Sequence, residues 1–142
     1  MNFDEILKSS LAAVNDGYAA AHTDLSETVN KVREAVTEHT DDKVALELQK
    51  VASDLKSTTF RLYLDPNVND LDQGVITITF FQLPASGYPV KFGTFIKSGS
   101  IFNSIGEAED KEALLSYFAD LLDSPESMLV QAVGYALRQR RD

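Results

Sequence analysis

The sequence predicts an α+β protein built on a four-stranded antiparallel β-meander, flanked by two or three N-terminal helices and two C-terminal helices. Three observations lead there. Apolar residues recur at steps of three and four over residues 1–56, and again after residue 107, the spacing of one helix face. Between these segments, residues 57–106 alternate apolar and polar side chains in short runs, the period of a strand. The connections between runs are too short to hold a crossover helix, so the strands must be antiparallel.

The N-terminal stripe runs through Phe3, Leu7, Leu11, Val14, Tyr18, Ala21 and Leu25, then through Val29, Val32, Val36 and His39. A third run through Val44, Leu48, Val51 and Leu55 has the same helical spacing. One helix over the whole span would be about 80 Å long, too long for a small compact domain. Two sites supply breaks. Thr23-Asp24-Leu25-Ser26-Glu27 carries an N-cap residue with a glutamate placed for a capping box, and Thr40-Asp41-Asp42 offers a second. Breaks are therefore expected near His22–Asp24 and His39–Asp42.

Four strands follow. Thr58–Leu64 sets Phe60, Leu62 and Leu64 against Thr59, Arg61 and Tyr63. Val75–Leu83 sets Ile76, Ile78 and Phe80 against Thr77, Thr79 and Phe81. After the turn cluster Pro84–Gly87, Tyr88–Lys97 sets Val90, Phe92 and Ile96 against Lys91, Gly93 and Phe95. Ser98-Gly99 makes a tight turn into a short strand at Ser100–Ser104. The chain ends in a helix at Asp110–Asp123 and another after Ser124-Pro125, read as N-cap and first helical residue. Arg138, Arg140 and Arg141 close it, favourable at the negative end of a helix dipole.

A chain of 142 residues fits a single domain (1–142) divided into a helical segment 1–56, a sheet 57–106 and a two-helix segment 107–142. The absence of cysteine rules out disulfides, thiolate metal sites and cysteine nucleophiles. The acidic start Met1–Glu5 lacks the features of a signal peptide, and a cytoplasmic location is expected. Net charge is −9, with −5 on residues 1–56, zero on 57–106 and −4 on 107–142. Acid thus sits on the helical ends, which disfavours duplex nucleic acid as a partner, and no apolar run approaches the length of a membrane span.

No motif carries chemistry. Asp65, Asn67 and Asn69 match the first oxygen ligands of an EF-hand loop, but Asp70 replaces the turn glycine and Ile76 the bidentate glutamate. His22 and His39 have no second ligand at metal spacing. Glu107, Glu109, Asp110 and Glu112 fall at a helix N-terminus, where acids complement the dipole. Lys97-Ser98-Gly99-Ser100 is a hairpin turn and no phosphate loop. Neither a metal nor a cofactor is expected.

Two surfaces remain. Arg61, Tyr63, Phe81, Lys91, Phe95 and Lys97 are expected to share the second sheet face; aromatic and basic side chains interleaved on an open sheet hold RNA or, more in keeping with the acidic charge, protein. Glu34, Glu38 and Asp41 mark an acidic helical surface suited to a basic partner. Small acidic α+β chains without motifs commonly serve as chaperones, immunity proteins or phage-borne inhibitors. The expectation is a non-enzymatic protein-binding module that forms a homodimer. The alternatives are a small-molecule or catalytic pocket using Tyr117, Tyr135 or Arg61, and a self-associating structural protein.

Overall fold

A computed structural model describes residues 2–66, 74–96 and 101–139. The elements are α1 (Phe3–His39), β1 (Ala45–Ser53), β2 (Ser57–Asp65), β3 (Ile76–Pro84), β4 (Val90–Ile96), β5 (Ile101–Ala108), α2 (Lys111–Leu122) and α3 (Met128–Gln139). The fold is α+β with an antiparallel meander in the order β1-β2-β3-β4-β5. It has five strands rather than four, and one N-terminal helix in place of two or three.

α1 runs unbroken through the expected break at His22–Asp24. Neither glycine nor proline interrupts that stretch, and the stripe keeps its phase from Tyr18 into buried Ala21 and Leu25. Asp24 takes a tertiary role instead: its Oδ2 accepts a 2.7 Å hydrogen bond from the Tyr88 hydroxyl, tying α1 to the segment before β4. Asn2 caps the start, accepting from the Glu5 amide at 3.2 Å. The second expected break is where the helix ends. The Thr40 hydroxyl donates to the Val36 carbonyl, and Asp41 and Asp42 follow with φ of 52° and 61°, a left-handed conformation that Asp tolerates better than most residues.

The third helical run is a strand, so residues 45–53 belong to the sheet and not to the helical segment assigned to residues 1–56. Val44 and Leu48 are four apart, which satisfies a helix face and a strand face equally. Leu46 between them decides the matter: it is fully buried, as alternate strand residues on a core face must be. A bulge between Lys50 and Ala52 then turns Val51 outward.

One face of the sheet carries Leu46, Leu62, Leu64, Phe60 and Phe81 into the core. All three helices pack there. His22 of α1 meets the Phe60 ring, Phe118 of α2 stacks on Phe81 at 5.4 Å, and Tyr117 stacks on Phe92 at 3.7 Å. α3 adds buried Leu129 and Ala136 to the same core. Asp110 caps α2 by accepting from the Ala113 amide at 2.9 Å. Ser124-Pro125 does not begin α3: the Ser127 amide closes a turn onto the Ser124 carbonyl, and the Gln131 amide bonds Ser127, so the helix starts at Met128.

Where α1 crosses the β3–β4 turn, two glycines let backbone touch backbone. A Cβ on Gly17 would sit 2.3 Å from the Ser86 carbonyl oxygen, and Gly87 has φ +100° with its own Cβ position 2.1 Å from the Gly17 carbonyl oxygen. This crossing is where α1 leaves the body. Residues Asn2–Asp16 on its N-terminal side are all exposed, and they form a free helical arm.

Candidate functional site

The sheet face opposite the helices is the first candidate. Its centre is built by strand register. Arg61 pairs with Phe80, and Phe80 with Gly93. The Phe80 ring meets Phe95 edge-on at 4.8 Å, and Phe95 meets Phe102 at 5.5 Å. Such edge-to-face contacts hold aromatic rings in a rigid row. The Arg61 guanidinium carbon lies 4.8 Å from the Tyr63 ring centre, within cation–π range. Its Nη2 donates to Gln49 Oε1 at 2.9 Å, while its buried Nε has no hydrogen-bond partner among the described residues. Lys91 stands between Gln82 and Glu107 in the ladder.

Of the six residues expected here, Arg61, Tyr63, Lys91 and Phe95 share the face. Phe81 does not: it is 0% exposed in the core against Phe118. The cause is a register shift between Leu62 and Tyr63, where Leu62 faces Thr79 but Tyr63 faces Thr77. Ile78 is the extra residue, and past it the alternation of β3 is reversed, so Phe80 takes the place read for Phe81. Phe80 and Phe102 were missed. A Phe-Phe pair in a strand signals that one ring must point each way, but alternation alone cannot say which. Lys97, the turn Lys97–Ser100 and the loop ligands Asn67 and Asn69 lie outside the described residues.

The acidic end is the second candidate. Glu34 and Glu38 are exposed on the last turns of α1, and Asp41 is exposed just past its end. At the same end of α1 opens a cleft of 300 Å³, lined by Val36 and His39 of α1 with Thr40 just past it, Leu122 of α2, and Val133 and Leu137 of α3. The Thr40 hydroxyl is already engaged by Val36, so the lining offers almost wholly apolar contact. α1 and α2 both present C-terminal ends here, adding negative dipole ends to the acidic side chains. The cleft was not legible in the sequence, because its walls come from three separated elements.

The arm is the third. Phe3, Ile6, Leu7, Leu11 and Val14 are 40–73% exposed along it, with Asp4, Glu5 and Asp16 set against a single lysine, Lys8. Its stripe continues that of the buried half of α1.

Among the described residues no group of three or more His, Asp or Glu side chains is placed to hold a metal ion. His22 lies between the Tyr18 and Phe60 rings, at 6.0 and 5.6 Å. The three polar groups named for a pocket do not converge. Tyr117 is packed among Phe81, Phe92 and Phe118, Tyr135 is exposed on α3, and Arg61 is on the far face. Burial pushes the Tyr117 hydroxyl pKa up, against an opposing hydrogen bond from Thr79. Tyr88 is raised further, first by burial and then by its bond to Asp24. Among the described residues no helix is long and apolar enough to cross a membrane.

The architecture is thus a five-stranded meander with all its helices on one face. No protein family, no curated protein and no solved structure was found to match this chain.

Proposed function

We propose that this protein is a non-enzymatic protein-binding module, of the inhibitor, immunity or chaperone-like adaptor kind, that takes a basic partner at its acidic helical end. The observation that carries the reading is the apolar cleft where α1, α2 and α3 meet, at the same end of α1 as exposed Glu34, Glu38 and Asp41. Apolar lining supplies contact area, and a surrounding of one charge sign selects and steers a partner of the other. The partner that fits is a helix with bulky apolar side chains on one face and Lys or Arg beside them.

The test is capture of a partner from the native host, followed by titration with purified components. Glu34→Lys, Glu38→Lys and Asp41→Lys together should weaken binding roughly tenfold, at about 0.5 kcal/mol for each exposed charge. The wild-type affinity should also fall as salt rises. Val133→Glu should abolish binding by placing a carboxylate in the apolar lining. If the partner binds both variants as it binds wild type, this surface is not the site.

A further inference from the structure

We propose that the protein forms a two-fold homodimer in which the N-terminal arm of each copy lies across the open sheet face of the other. Among the described residues neither the arm's apolar stripe nor the aromatic sheet face is covered by the rest of the chain. The stripe of Leu7, Leu11 and Val14 continues in phase with Tyr18, Ala21 and Leu25, so it points toward the side where its own sheet would lie. Beyond the Gly17–Ser86 crossing that sheet has ended. A two-fold axis at this end sets a second sheet in continuation of the first, inverted. Its open face then meets the stripe, and the same rotation carries the second arm under the first sheet. The arrangement closes on itself, as an isologous dimer must.

Size and charge agree. The free segment Phe3–Asp16 is about 21 Å long, and α1 runs along its strands, meeting Phe60 at His22 and Leu46 at Arg33. Strands of 7–9 residues are about 23–30 Å long, so one arm lies along one face. Arm-on-arm pairing would make a single strip of contact about 10 Å wide, well under the roughly 800 Å² per partner of a standard complex. Reciprocal exchange doubles that contact and adds the abutting sheet ends, and so comes nearer to that area. Asp4 flanks the arm's stripe, and the open face presents Arg61 and Lys91, with Glu107 opposite Lys91. An amphipathic helix with an acid beside its stripe complements an aromatic face centred on Arg61.

Sedimentation velocity across a dilution series tests the assembly. Wild type should be dimeric and dissociate on dilution. Leu7→Asp with Leu11→Asp should be monomeric at concentrations at least tenfold higher, with unchanged circular dichroism, because both residues are exposed in the single copy. The chain has no cysteine, so introduced ones report contacts directly. Leu11→Cys mixed with Phe95→Cys should cross-link through a short bismaleimide, and Leu11→Cys alone should not. A wild-type monomer up to the solubility limit would overturn the proposal. So would a dimer untouched by the arm substitutions, or cross-linking of Leu11→Cys to itself with no mixed product. The acidic end lies at the opposite end of α1 and on α2 and α3, so partner capture there succeeds or fails independently of this result.

Discussion

The two halves of α1 have the same sequence pattern and opposite environments. From Tyr18 to Val36 the stripe of threes and fours faces the sheet, and Leu25 is 0% exposed. From Phe3 to Val14 the same spacing faces solvent, and Leu7 is 59% exposed. Nothing in the local sequence separates them except Gly17, the residue at which the backbone crosses the β3–β4 turn. An apolar stripe therefore states that something will be covered; it does not state by what. In the C-terminal half the cover is the chain's own sheet, whereas the arm has no cover among the described residues, and a second molecule is the one proposed.

The sharpest way to break this comparison is to put the same charge into both halves. Leu25→Asp buries an unpaired carboxylate and should cost more than about 4 kcal/mol, enough to remove the cooperative transition in urea. Leu11→Asp should leave monomer stability within about 0.5 kcal/mol. The sheet repeats the contrast. Phe81→Ala, in the core, should cost about 3–5 kcal/mol, whereas Phe95→Ala on the open face should cost about 1 kcal/mol. Equal losses would mean that the two faces are not differently covered.

Gly17→Ala tests the boundary itself. Alanine is the better helix former by about 1 kcal/mol, yet its Cβ would meet the Ser86 carbonyl, which is backbone and cannot swing aside. A net loss of about 1–3 kcal/mol is expected, read as a lower urea midpoint. A gain would mean that the crossing is loose.

The smallest effect concerns the tether between α1 and the segment before β4. Tyr88→Phe should cost about 1 kcal/mol near neutral pH by removing the bond to Asp24. Burial first and that bond second raise the Tyr88 pKa above its ordinary value of 10.0. A group whose pKa is raised on folding contributes stability that is complete below the unfolded value and is lost above it. Wild-type stability should therefore fall as pH rises past about 10, and fall less steeply in Tyr88→Phe. Urea midpoints between neutral and strongly alkaline pH read both slopes.

Much of the fold was legible. The alternation in β2 and β4, the acidic cap of α2 and the helix end at Thr40–Asp42 follow from local chemistry. β1 was hidden because Val44 and Leu48 fit two periods at once, and a run of residues read against one period conceals the other. The open face was legible in four of its residues, Arg61, Tyr63, Lys91 and Phe95. The β-bulge exchanged Phe81 for Phe80, since one extra residue reverses every later side chain in a strand.

By itself the sequence determined periodicity, charge placement and the ends of α1 and α2, because these depend on dihedral preferences and on neighbours within one turn. Only the tertiary structure decided which half of α1 is covered, which of two adjacent phenylalanines enters the core, and that all three helices share one face of the sheet. Those outcomes depend on contacts between residues far apart in the chain, such as Gly17 with Ser86 and Phe81 with Phe118. No local spacing encodes such contacts, because the same stripe satisfies its own helix whether or not anything lies beneath it.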